Sequence, residues 1–338
     1  MNLKEFAERI GLSQTTASRA LGGYPEVSEA TRARVLKAAE ELGYRPNTSA
    51  RSLATGRAGA IGIVLQGGAS FGPHFSEFMN GLSSRLQLEG LDILVSTVDG
   101  GAAEEDAYRR FAASKRVDAV IVTSPACTDS RIELLRSLRL PFVVHGRSDA
   151  AEAFAYLDID NEGAIRKATD HLLDLGHRRI AFISGNTRNT YARDREAGYR
   201  AALAARGVPV APSLLGNGAF TDEIGFRLMR GFLEGAEPPT AVITGSMMSG
   251  LGAMRAIRVA GLTVGRDVSV IAHDDVFPYL SPENLVPTVS TTRSPIRDAG
   301  ARIADMAMRL VAGARPETLQ EVWPVDLVIR RSTAPPPE

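Results

Sequence analysis

The 338 residues include one cysteine, Cys127, so the chain can form no internal disulfide and suits a reducing compartment. Cys127 itself reads as a small thiol without a role. No apolar run approaches the length of a membrane span and no signal peptide is recognisable, so the expectation is a cytoplasmic protein without a membrane partner. Catalytic signatures are missing too. Gly245, Gly250 and Gly252 do not make G-x-G-x-x-G, nor does the Gly67-Gly68 pair, and there is no H-E-x-x-H. The five histidines (His74, His145, His171, His177, His273) lack metal-ligand spacing. These absences argue against an enzyme and imply neither cofactor nor metal. Acidic residues are absent from Ile10 to Pro25 and again from Leu42 to Ser76. Both stretches are therefore free of repulsion towards a polyanion.

What is present begins with a compact helical unit. Leu3, Phe6, Ala7 and Ile10 repeat at i, i+3, i+4 and i+7, the buried stripe of a first helix stopped at Gly11. Ser13 is placed to cap a second helix ended by Gly22-Gly23, with Ala17, Ala20 and Leu21 on one side and Gln14, Thr15, Ser18 and Arg19 on the other. Ser28 can cap a third helix whose Val35, Ala38, Ala39 and Leu42 keep the same spacing before Gly43. Two helices meeting across a short turn, followed by a third, make a helix-turn-helix unit. The polar side of the second helix has DNA chemistry: Gln and Thr exchange hydrogen bonds with base edges, Arg grips guanine, and hydroxyls reach phosphates.

An arginine-punctuated linker follows, YRPNTSARSLATGR at 44–57. Asn47 can cap a helix from Thr48 to Ala54, too short to persist alone in water, with Ala50, Leu53 and Ala54 on an exposed apolar edge. Residues 1–58 hold nine Lys/Arg against six Glu, in a chain whose 39 cations balance 39 anions. That polarity is modest, so DNA affinity would rest on geometry and dimerisation more than on bulk charge.

From Ala60 onward, short apolar runs alternate with amphipathic helical segments. The runs at 60–65, 91–96, 117–123, 141–144, 179–184, 240–244 and 268–272 predict buried parallel strands. Segments near 73–89, 103–115, 129–138, 161–175, 192–206, 222–234 and 247–260 predict helices, giving two doubly wound α/β lobes.

The run LKEFAERIGLSQTTASRAL, the stretch VSEATRARVLKAAEELGYRPN and the hinge ending LATG together resemble the LacI/GalR family of transcriptional repressors. The resemblance continues through DIDNEGAIRKATDHLLDLGHRRIAFISG, VSVIAHDD and LVIRRST and covers essentially the whole chain. It implies a helix-turn-helix domain (1–45), a hinge helix or linker (46–57) and a periplasmic-binding-protein-like domain (58–338). In the last, lobe 1 takes about 58–158 and 291–322, lobe 2 about 159–290 and 323–333, and the chain crosses between them near 158, 290 and 322. By the same resemblance Gln14, Thr15 and Arg19 read bases while Thr16 and Ser18 contact phosphates. Asn47, Ala50 and Leu53 belong to the hinge's DNA-facing set, Leu53 being wedged between base pairs.

For the effector, the resemblance implies that Arg195 clamps hydroxyls or carboxyls, Asp274 accepts hydroxyls, Phe220 covers a ring and Ser246 lines the pocket. Met247 stands where the family commonly has Asp, which makes that wall less polar. His145, Phe71, Phe75 and Tyr191 form a weaker set that also suits packed core or rim residues. Asp160 and Asn161 read as caps of the helix from Glu162.

The partners implied are a double-stranded operator, a second copy of the chain and a small effector. Aromatics beside paired polar groups suit a mono- or disaccharide, and a purine or nucleoside remains the alternative. The tail after Thr333 carries no heptads, which favours a dimer over a tail-assembled tetramer. A sugar-binding protein without a regulatory role is the rival reading, which the N-terminal unit argues against. Control would follow from linkage: an effector that prefers one lobe arrangement by about 1–3 kcal/mol alters operator affinity roughly 5- to 150-fold.

Overall fold

The computed structural model describes residues 1–44, 56–67, 72–273, 277 and 279–338. The hinge positions Asn47, Ala50 and Leu53, together with Phe71 and Asp274, lie outside the described residues. The chain forms two compact units, Met1–Gly59 and Ala60–Glu338.

In the first unit, helices α1 (Leu3–Arg9), α2 (Gln14–Leu21) and α3 (Glu29–Glu41) each start on a side-chain cap, from Asn2, Ser13 and Ser28. Asn2 and Glu5 cap reciprocally, each accepting from the other's backbone N–H at 2.9 and 3.1 Å. Gly11, at φ +67°, supplies the left-handed residue in the turn between α1 and α2. Phe6, Ala7, Ala17, Ala20, Val35 and Tyr44 make the core, with the Phe6 and Tyr44 rings stacked at 4.3 Å. Leu42, expected on the buried stripe, is instead the C-cap of α3 and 40% exposed. The chain turns there, and Tyr44 fills the core position.

The second unit contains two six-stranded sheets. In lobe 1 the order is β2 (Asp92–Val98), β1 (Ala60–Gln66), β3 (Ala119–Thr123), β4 (Phe142–His145), β5 (Ala155–Ile159) and β11 (Gln320–Trp323), all parallel. In lobe 2 it is β7 (Leu215–Asn217), β6 (Ile180–Ser184), β8 (Ala241–Thr244), β9 (Ser269–His273), β10 (Ser290–Arg293) and β12 (Asp326–Val328), with only β12 antiparallel. Both sheets thus run second, first, third, fourth, fifth, which puts a topological switch point between β1 and β3 and another between β6 and β8.

Helices cover both faces of each sheet. In lobe 1, α4 (Pro73–Gln87) and α11 (Ile296–Val311) bury Phe78, Leu82, Ile303 and Met306 on one face. On the other, α5 (Ala102–Ser114) and α6 (Ser130–Ser137) bury Tyr108, Phe111, Ile132 and Leu135. In lobe 2, α7 (Asn161–Asp174) and α8 (Thr190–Ala205) oppose α9 (Asp222–Leu233) and α10 (Met247–Val259) in the same way. The chain passes between the sheets after β5, after β10 and after β11. Pairing moves all three lobe boundaries: Ile159 and Trp323 pair with each other and so stay in lobe 1, while Thr291, Thr292 and Arg293 bond β9 or β12 and stay in lobe 2. Among the described residues no helix is long and apolar enough to cross a membrane, and no cluster could hold a metal ion.

Candidate functional site

The small buried side of α2 determines what its other side can do. Ala17 and Ala20 are 0% and 1% exposed, so the helix backbone lies close against α1 and α3. Gln14, Thr15, Ser18 and Arg19 consequently stand on the exposed side. Thr16 is half-buried; its N–H donates to Ser13 Oγ at 3.1 Å and the two hydroxyls are 2.8 Å apart. Arg32, which carries no motif that singles it out, donates to the Gly23 and Tyr24 carbonyls at 3.1 and 2.9 Å. It fixes the chain leaving α2.

In the second unit, polar side chains gather at the carboxyl ends of the strands. At the lobe 2 switch point β6 and β8 are followed directly by Gly185 and Gly245. A Cβ on Gly185 would fall 2.8 Å from the Tyr191 hydroxyl and 3.1 Å from Phe220, and one on Gly245 would fall 2.9 Å from Phe220. The two aromatic rings rest on bare backbone, 6.0 Å apart and tilted by 47°. Beneath them Arg195 is 6% exposed, its guanidinium 5.2 Å from the centre of the Tyr191 ring. Burial pushes the Tyr191 hydroxyl's pKa up, against the opposing pull of Arg195.

Arg195 is held on three sides. Its Nε donates to Asn161 Oδ1 at 2.7 Å, Nη1 to the Gly245 carbonyl at 2.9 Å, and Nη2 lies 2.6 Å from His273 Nε2. A guanidinium only donates, so His273 Nε2 must accept. The Nδ1–H tautomer then faces Thr292 Oγ1 at 2.6 Å. Asn161 passes the contact on, its Nδ2 donating to Asp158 Oδ1 at 3.1 Å. Burial raises the Asp158 pKa, opposed by Arg147, whose Nε donates to Asp158 Oδ2 at 2.7 Å.

The expected residues divide between the lobes. Arg195 and Phe220 converge with Tyr191 in lobe 2. Ser246 lies next to them in sequence, but its Oγ caps α10 by accepting from Ser249 N at 3.1 Å. Met247 is fully buried among Val242, Ala253 and Ala272, so it builds core and not the less polar pocket wall expected of it. On lobe 1, His145 ends β4 and stacks on Phe78 at 4.6 Å, while Phe75 packs against the same core. Asn161 was legible only as a cap. Asp160 caps α7 by accepting from Gly163 N at 2.9 Å, leaving Asn161 to bridge Arg195 and Asp158. His273 and Asn161 gave no sequence signal beyond standing at strand or helix ends.

Residues 2–47 match the bacterial regulatory proteins of the lacI family, and residues 169–333 match a periplasmic binding protein-like domain. The chain is 46% identical to the HTH-type transcriptional regulator AglR of Rhizobium meliloti, over all of this chain and 96% of that one. It is 35% identical to RafR of Escherichia coli, with 96% of each chain covered. Among solved structures it is similar to the lac repressor dimer bound to operator and the anti-inducer ONPF (28% identity, TM-score 0.84, 99% of both chains). It is also similar to a transcriptional regulator CelR–cellobiose complex (30% identity, TM-score 0.73, 98% of this chain and 99% of that one). With a helix-turn-helix unit of this form and two lobes of this topology in one chain, the protein belongs to the LacI family of DNA-binding transcriptional regulators.

Proposed function

We propose that the protein is a repressor that binds a palindromic operator as a homodimer in the cytoplasm and is controlled by a sugar, a mono- or disaccharide. The observation that carries the effector reading is the site at the β6/β8 switch point. There, two tilted rings offer apolar faces and a buried arginine supplies directed donors. Pyranose rings present both an apolar face and a rim of hydroxyls, so this combination suits them. The solved CelR–cellobiose complex supports a disaccharide, and the operator-bound lac repressor dimer supports two-fold recognition. A single α2 reads too few base pairs to be specific, and pairing two of them supplies the missing contacts. The reading-helix residues are Gln14, Thr15 and Arg19 for bases, with Thr16 and Ser18 on phosphates. The ligand is bound and released, not turned over.

A thermal-shift screen of mono-, di- and trisaccharides against purines and nucleosides tests the effector class. A ligand at a hundred times its Kd adds about 2.7 kcal/mol to apparent stability. Stabilisation by a purine and by no sugar would replace the sugar with the alternative effector. Selection from a random duplex library tests the operator, whose enriched sequences should be two-fold symmetric.

A further inference from the structure

Strands β8 and β9 end at different heights. Their register pairs Thr244, the last residue of β8, with Ala272, so His273 closes β9 one step further on, level with Gly245. Arg195 lies across these two ends: Nη1 donates to the Gly245 carbonyl and Nη2 to His273 Nε2, while Nε donates to Asn161 on α7. Each guanidinium nitrogen is thus tied to a different element, which fixes both the position and the plane of the group. The three acceptors are an amide, a peptide carbonyl and an imidazole, all neutral, so they orient the guanidinium without drawing off its charge. A carboxylate in place of His273 would orient it as well but would offset that charge.

His273 is fully buried, and its ring is engaged on both nitrogens. Thr292 on β10 is its neighbour in the parallel register and is itself buried; its Oγ1, 2.6 Å from Nδ1, accepts the ring proton. The hydrogen bond on one imidazole nitrogen decides what the other can do. With the proton on Nδ1, Nε2 presents a lone pair and meets Arg195. The other tautomer would set N–H against N–H across 2.6 Å and push the guanidinium away. We propose that His273 is a positioning residue of the effector site: Thr292 holds its tautomer, and its Nε2 lone pair holds the Arg195 guanidinium in the plane that meets a ligand's oxygens beneath the Tyr191 and Phe220 rings. The inference rests on the effector reading of Arg195, whereas the positioning itself can be tested with no ligand present.

Two half-mimics of histidine separate the roles. Gln carries an amide oxygen where Nε2 stands and Asn an amide nitrogen where Nδ1 stands, so His273→Gln keeps the acceptor for Arg195 and His273→Asn keeps only the donor to Thr292. The ligand-free readout is the Nε–H NMR signal of Arg195 in the isotope-labelled full chain, assigned by its loss in Arg195→Lys. Its exchange with solvent should be slow in the unmodified protein and in His273→Gln, and about ten-fold or more faster in His273→Asn. Equal protection in both variants, or equal loss, would overturn the positioning role. The ring-nitrogen signals of His273 itself should show the proton on Nδ1; a proton on Nε2 would overturn the relay, even if His273→Asn failed to fold. In the ligand arm, maltose, cellobiose, lactose and sucrose are titrated against the three proteins by thermal shift. A sugar that stabilises the unmodified protein should bind His273→Asn about ten-fold or more weakly and His273→Gln within about three-fold of the original affinity. Equal weakening in both would reduce His273 to packing and overturn the proposal. If none of the four stabilises the protein, the disaccharide reading fails, while the exchange rates still decide the role of His273.

Discussion

Gly81 of α4 and Arg297 of α11 meet backbone to backbone: a Cβ on Gly81 would stand 1.8 Å from the Arg297 carbonyl oxygen. The contact is reciprocated by Gly300, whose Cβ would fall 2.1 Å from the Phe78 carbonyl. The same device joins α8 to α7 at Gly198 and α9 to α10 at Gly225 and Gly252. Each pair behaves as one plate against its sheet. Side chains could not bring the helix axes so close.

Gly81→Ala should therefore destabilise the second unit by about 3 kcal/mol or more, because the obstructing atoms are backbone and cannot rotate away. Gly231→Ala is the control. It lies on the exposed side of α9 with open space where the methyl would go, and should be neutral or stabilising by up to about 1 kcal/mol. Denaturant unfolding of the full chain followed by circular dichroism compares the two.

Arg195→Ala removes three directed contacts at once and should lower stability by about 1.5–3 kcal/mol. It should also abolish stabilisation by whichever ligand the screen identifies. Arg195→Lys keeps the charge but not the fork, so it should recover part of the stability and little of the ligand response. Thermal melts with and without ligand separate the effects, and a full ligand response in both variants would place the pocket elsewhere.

His177 ties the C-terminal segment to the amino ends of β8 and β9. Its Nε2 lies 2.8 Å from the Ala334 carbonyl and its Nδ1 2.8 Å from Thr240 Oγ1. The ring must be protonated on Nε2 to meet a carbonyl, leaving Nδ1 to accept. Burial lowers the pKa of His177 against the opposing pull of the Ala334 carbonyl, and nearby His171 lowers it further. His171 is itself lowered by burial, with Asp174 opposing. A depressed folded pKa means that the unfolded chain binds more protons. Stability should then be full above about pH 6.5 and decline as pH falls from there through the lower folded values. His177→Gln should flatten that slope and cost about 1–3 kcal/mol at pH 8. Hydrogen exchange at residues 332–334 should show the same segment loosening first in acid.

Arg19→Ala should weaken operator binding by about 1–3 kcal/mol and relax preference at one symmetric pair of positions. A uniform loss over all sequences, with a reduced salt slope, would make Arg19 a phosphate contact. Gel shifts on duplexes varied one base pair at a time distinguish the two.

The architecture of the lobes was legible where burial is two-sided. Runs such as AIGIVL and the AVIV of β3 are apolar on every residue because helices cover both faces. The last three strands, which flank the second and third crossings, were not legible as strands: STTR, QEVW and DLV are short, and two of them stand at sheet ends where no uniform apolar run is required. Helix α11 escaped notice although strongly amphipathic, since it carries no apolar run and its glycine, Gly300, reads as a breaker until its partner Phe78 is seen. In the site, Arg195 and Phe220 were accessible through family likeness. Asn161 was not, because the side chain that reaches Arg195 belongs to a residue whose local position already accounted for it.

The fold asks little of α2. Its fully buried commitment is Ala17 and Ala20, and among the described residues no tertiary hydrogen bond is made by the side chains of Gln14, Thr15, Ser18 or Arg19. These four can therefore be exchanged while the three-helix core is conserved unchanged. On the proposed reading of these four residues, a lineage of such proteins acquires new target sites by a few substitutions on one exposed face. Divergence in what is read then proceeds at its own rate, separate from divergence in what is sensed.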